Sequence, residues 1–160
     1  MQEAPSRMFT WSFAVALAAI GGFAAAVGVL LGWWRAEAFR ASEIFGREIV
    51  EERTLLGTAH WSGTVALLVG LMVTLAALGG LVLSARGVRR AAAIAALSGG
   101  FFVMAAAAFG FSQATTVAEA QVGGPGLGVD ATVAGGLFLS AVGGAVAVVA
   151  GLLAQRTAEE

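Results

Sequence analysis

Four stretches of this chain carry no Asp, Glu, Arg or Lys, and each is long enough to cross the hydrocarbon core of a bilayer: Phe9–Trp34, Trp61–Ser84, Ala91–Phe111 and Ala131–Ala154. A helix needs about 20 apolar residues to do so. Within hydrocarbon every backbone N–H and C=O must be satisfied by the chain itself, which leaves helices or a closed barrel. A barrel requires alternation of polar and apolar residues, and these runs do not alternate. The expectation is an all-α, integral membrane four-helix bundle, a single four-span domain over residues 1–160 with a short turn and two longer loops. The composition agrees. Hydrophobic residues make up 59% of the 160 positions and charged residues 12%, against roughly 25% charge in a soluble domain. The chain has too little charge to clothe a water-facing globule.

The first run follows Arg7 and contains Ala24-Ala25-Ala26, which has the look of a signal-peptide cleavage site. The apolar run nevertheless continues to Trp34, past the point where a signal sequence would stop, so an uncleaved span is expected. Orientation follows from the arginines. Arg86, Arg89 and Arg90 crowd one short turn free of acidic residues. Arg35, Arg40, Arg47 and Arg53 are diluted by Glu37, Glu43, Glu48, Glu51 and Glu52. Positive charge close to span ends marks the cytoplasmic side. The expected location is therefore the cell (plasma) membrane, multi-pass, with both termini cytoplasmic and the loops Arg35–His60 and Ser112–Asp130 facing outward. Trp11, Trp33, Trp34 and Trp61 fall at the ends of spans and read as anchors in the headgroup zone.

Because lipid removes most of the hydrophobic drive for helices to associate, close approach through small residues takes over. Gly136, Ser140 and Gly144 stand four apart in the last span, Gly28 and Gly32 in the first, Gly63 and Gly70 a heptad apart in the second, and Gly99 with Gly100 in the third. These stripes read as packing inside one bundle, or as a face for a second copy or another membrane subunit.

The loops carry the charge. In the first, Glu43, Arg47 and Glu51 are spaced for pairing on one helix face, and Ala38, Ala41, Phe45 and Ile49 would share another. The reading is an amphipathic helix from about Ala36 to Glu52 lying on the membrane. Glu48, Glu51 and Glu52 could hold a divalent cation, but a solvated face explains three carboxylates, and no metal is expected. The second loop, with Gly123, Gly124, Pro125, Gly126 and Gly128, reads as a turn-rich connector, with Asp130 as the N-cap of the fourth span. Its glycines lack the strand, helix and Lys that a phosphate cradle requires.

Much chemistry is excluded by what is missing. There is no cysteine and one histidine, His60. Disulfides, thiolate metal sites, a bis-histidine haem and a multi-histidine zinc site cannot be built from this chain alone. No cofactor is expected. His60 reads as a hydrogen-bonding residue at the mouth of the second span, with a proton sensor or single metal ligand as the sharper alternative. Spans without ionisable residues lack the relays of coupled pumps, and no nucleophile–base pair can be assembled. A net charge of −1 gives no footprint for nucleic acid. By elimination, the expected partners are the bilayer and other membrane subunits or a second copy. The expected role is non-enzymatic: an accessory or assembly subunit of a membrane complex. A passive channel or small-solute transporter component, and an envelope sensor using loop 35–60, are the alternatives.

Two segments resemble a known group. Leu56-Gly57-Thr58-Ala59-His60-Trp61-Ser62-Gly63 opens the second span, and GPGLGVDATVAGGLFLSAVGG opens the fourth. Together they resemble small prokaryotic four-helix membrane proteins with a claudin-like order of helices, in which a turn containing Gly and Trp and a Gly-rich turn occupy these places. The resemblance implies a four-helix membrane bundle. Claudins carry an extracellular sheet with a disulfide, whereas this chain lacks cysteine and its first loop reads as helical. Neither junction-forming activity nor any functional residue is carried over.

Overall fold

The computed structural model describes residues 5–42, 46–83 and 85–159, with side chains described for 11–41, 46–83 and 85–157. Five α-helices and three strands are present among them: α1 (Pro5–Leu30), β1 (Trp34–Ser42), β2 (Gly46–Leu55), α2 (Trp61–Val82), α3 (Arg86–Ser112), α4 (Ala114–Val122), β3 (Gly128–Val133) and α5 (Gly135–Glu159), with a 3-10 turn at Gly57–Ala59 before α2. Four helices are long and apolar enough to cross a membrane, over Trp11–Leu30, Trp61–Val82, Arg86–Ser112 and Gly135–Thr157.

The four long helices form a ring in which α1 touches α2 and α5, and α3 touches α2 and α5. Successive helices run up and down, so both loops emerge at one end, the cap end. The termini and the α2–α3 turn share the other.

The packing follows from the small residues. A side chain at Gly28 would collide with the Gly136 carbonyl and Ser140, and one at Gly136 with the carbonyls of Gly28 and Gly32; α1 and α5 are in backbone contact there. Gly22 and Gly70 bring α1 and α2 together in the same way, and Gly100 and Gly144 join α3 to α5. Gly99 receives the Val73 side chain from α2. Close approach of this kind lets dispersion replace the hydrophobic effect as the adhesive. Gly63 differs: it abuts the Gly57 carbonyl in the turn just before its own helix. Every glycine of the expected stripes that contacts another span does so within this one chain.

The loops depart from the all-α expectation. The first folds as a β-hairpin rather than an amphipathic helix, and the second returns a strand to it. The result is an antiparallel sheet of order β2-β1-β3. β1 pairs β2 from Trp34 with Leu55 to Ser42 with Gly46, and pairs β3 from Trp34 with Val133 to Phe39 with Gly128. The physical reason lies in β1 itself. Trp34, Ala36 and Ala38 are buried, while Arg35 is exposed and Glu37 half-buried, a period of two that suits a sheet with one covered face. The span boundaries move accordingly. Gly32 takes φ +101°, a left-handed turn that glycine adopts without steric cost, so α1 ends before Trp33 and Trp34. Residues 131–133 belong to β3, not to the last span. Asp130 lies within β3 and is no helix cap. The expected connector also contains α4, which packs on β1 and β3.

Candidate functional surface

The cap is built on two tryptophans. Trp33 and Trp34 are each 0% exposed, with ring centroids 5.5 Å apart, edge to face. The Trp33 indole N–H donates to Ser140 Oγ in α5 at 3.2 Å, and that of Trp34 to the Gly110 carbonyl in α3 at 3.0 Å. Ser140, itself fully buried, has the carbonyls of Ala25 and Gly136 each 3.0 Å from its hydroxyl, so it can accept from the indole while donating to the bundle backbone. Gly110 makes the room: a side chain there would strike the Trp33 ring. The Trp33 backbone N–H donates to Leu55 O, and its carbonyl accepts from Ala134 N–H. One dipeptide therefore ties both loops to two helices, α3 and α5.

These positions correct the anchor assignment. Trp33 and Trp34 touch protein rather than headgroups, and Trp11, 5% exposed, lies in the core at the opposite end of the bundle. Trp61 is 61% exposed, with its ring 5.3 Å from that of Phe109.

The outer surface of the sheet holds the charge. Arg47 on β2 reaches Glu37 on β1 at 3.6 Å and Asp130 on β3 at 2.5 Å, and its guanidinium lies 3.8 Å from the centre of the Phe39 ring. A single side chain thus spans all three strands. Arg35 pairs with Glu52 on this surface at 3.5 Å, and Arg53 pairs with Glu51 on the other face of the exposed β2 edge at 3.2 Å. The expected helical pairing of Arg47 with Glu51 does not form; Glu43 and Phe45 lie outside the described residues. Glu51 and Glu52, adjacent on a strand, point to opposite faces, so Glu48, Glu51 and Glu52 do not converge. Among the described residues no group of three or more His, Asp or Glu could hold a metal ion. β2 is an edge strand, exposed from Gly46 to Thr54. Its charged side chains and the irregularity opposite Ala38 and Phe39 are features that discourage uncontrolled edge pairing.

His60 is the N-cap of α2. Its Nδ1 accepts from the Ser62 backbone N–H at 3.3 Å and lies 2.9 Å from Ser62 Oγ. The ring stacks on Phe109 of α3, centroids 5.8 Å apart, beside Trp61. Capping the first turn of α2 gives the residue a structural task. A shallow groove of about 260 Å³ lies between α2 and α3, lined by Val69, Met72, Val73, Ala76, Ala95, Ser98, Gly99 and Phe102.

Trp33, Trp34 and Arg47 are what residue-by-residue reading of the sequence missed. A signal existed for the first two: Gly32 directly before Trp33-Trp34, followed by strict alternation of apolar and charged residues from Trp34 to Ala38. The chain matches no family model and no curated protein.

Proposed function

We propose that this chain is a non-enzymatic, multi-pass protein of the cell membrane, with both termini cytoplasmic, that acts as an accessory or assembly subunit of a membrane complex and offers its sheet cap as the contact surface. The observation that carries this reading is a division of labour. The small-residue stripes of the bundle are consumed by contacts within the chain, while the cap leaves β2 exposed along one edge and studded with charge. A cap of this kind is anchored firmly enough to present a fixed surface, since Trp33 and Trp34 lock it to α3 and α5. The bundle interior is alanine and glycine in close contact, which weighs against a conducting path and hence against the channel alternative.

The claudin-like order of helices is part of this proposal. What supports it is that both loops join in one antiparallel sheet at a single end of four helices, where the sequence suggested a helix. The lack of any cysteine still separates this chain from claudins proper.

The test has two arms. The purified chain in liposomes should show no ion or small-solute flux above empty vesicles. Purification in mild detergent should bring down a stoichiometric membrane partner, and substitution of exposed cap residues such as Arg40 and Glu48 should release it. Flux from the chain alone would overturn the reading, as would a partner retained unchanged by cap variants.

A further inference from the structure

We infer that His60 is a proton-operated latch at the joint between cap and bundle, holding the start of α2 closed while its ring is neutral. His60 ends the 3-10 turn and begins α2. Its backbone N–H donates to the Gly57 carbonyl, and its own carbonyl accepts from Gly63 and Thr64. Its ring supplies the side-chain cap, with Nδ1 accepting from the Ser62 backbone N–H. Ser, Thr, Asp and Asn ordinarily fill that position. Imidazole fills it with a group of the one kind that changes charge between about pH 5 and pH 8. The joint has little slack. A side chain at Gly63 would strike the Gly57 carbonyl, and one at Gly57 would strike Val29 and the Trp33 ring. The turn that His60 caps is therefore packed against the root of the cap.

A backbone N–H can only donate, so the capped start of α2 requires Nδ1 without a proton. With a proton there, Nδ1 can donate to Ser62 Oγ, 2.9 Å away, but the Ser62 backbone N–H loses its acceptor. The imidazolium charge also sits at a helix N-terminus, where the dipole opposes it. No counter-charge offsets this. The 3-10 turn and α2 hold no charged residue. α1 has none from Trp11 to Leu30, and α3 has only Arg86, Arg89 and Arg90, at its far end. On β2, which leads into the joint, Glu51 and Glu52 are paired with Arg53 and Arg35. Among the described residues no carboxylate, Glu119 of α4 included, forms an ion pair with the ring. The capped start binds one proton fewer than the released one, so by linkage the cap is held at neutral pH and lost as the pH falls through the titration of the ring.

The experiment follows the full chain in nanodiscs from about pH 8 to about pH 5, the range over which imidazole changes charge. The chain has one histidine, so imidazole nitrogen chemical shifts report the protonation of His60 alone. Amide exchange in the first turn of α2, corrected for its intrinsic pH dependence, should rise about fivefold as the ring gains its proton, the size of a lost side-chain cap. His60→Asn, a cap that does not titrate, should keep exchange slow throughout. Three results would overturn the inference: a ring that gains its proton with no rise in exchange, a ring that stays neutral over the whole range, or the same rise in His60→Asn. Should His60→Asn fail to fold, the unaltered chain decides alone, because ring protonation and exchange must share one midpoint and separate midpoints sink the latch.

Discussion

The two ends of this molecule solve the packing problem with opposite materials. The core at the termini end, from Trp11 to Ala154, is mainly alanine: Ala14, Ala18, Ala77, Ala93, Ala96, Ala147, Ala150 and Ala154, with Trp11, Val15 and Val73. The core at the cap end gathers Trp33, Trp34, Leu55, Val117, Val122 and Leu137. The first lies between the four long apolar helices, and for such helices in a bilayer moving a side chain from lipid to protein gains little, so they approach until backbone meets backbone. The second lies beneath the sheet, where both loops leave the bundle. There, burying large side chains away from water is again favourable, and the polar atoms they bring must be bonded, as both indoles are. The same chain therefore uses small residues along the whole bundle, from Gly28 and Gly136 to Ala154, and adds bulk where the cap sits on it.

That contrast can be broken from either side. The largest expected effect is at the cap. Trp33→Ala removes the fully buried indole that bonds Ser140 of α5 and should destabilise the protein by about 3–5 kcal/mol, read as a lowered unfolding midpoint in detergent with loss of protease resistance in residues 34–55. An effect below about 1 kcal/mol would show that the dipeptide is not the link between sheet and bundle. Next comes the bundle. Gly136→Val places a branched side chain against the carbonyls of Gly28 and Gly32 and should cost about 1–3 kcal/mol or more. Gly79→Ala, which meets nothing within 4 Å, should change stability by less than about 0.5 kcal/mol. Equal effects of the two glycine substitutions would mean that close helix approach is not what holds the bundle.

Smaller effects sharpen the boundary between the regions. His60→Ala deletes the side-chain cap of α2 and should cost about 1 kcal/mol, with faster amide exchange confined to the first turn of α2 as the local signature. Arg47→Ala should cost less still, under about 1 kcal/mol, because its ion pairs to Glu37 and Asp130 are about half exposed to solvent and screened. Its loss should be visible mainly as increased motion of the β2 edge relative to β1.

The spans were legible in the sequence because length and lack of charge decide them almost without regard to tertiary context. The glycines that touch other helices were legible as well, although not their partners: spacing reveals a groove and says nothing about which helix fills it. The cap was misread for an instructive reason. Glu43, Arg47 and Glu51 satisfy helical spacing, and an exposed β2 has no apolar alternation to contradict it. The contrary signal sat in β1 and β3. Trp34, Ala36 and Ala38 alternate with Arg35 and Glu37, and Val129, Ala131 and Val133 alternate with Asp130 and Thr132. Reading those periods first would have favoured a sheet. Placing Trp33 and Trp34 at the membrane interface rested on the preference of indoles for that zone. The sheet claimed them because Gly32 turns the chain out of α1 just before they arrive.

Central to the account is a chain that crosses the bilayer four times and brings both loops together on one side. Its sequence contains no cysteine, so single-cysteine labelling in intact cells is free of background. Arg40→Cys in β1, Glu119→Cys in α4 and Gly87→Cys in the first turn of α3 are each probed with a membrane-impermeant maleimide. The account predicts that the first two label from outside and that the third labels only after permeabilisation. Labelling of Arg40→Cys and Glu119→Cys from opposite faces would contradict it.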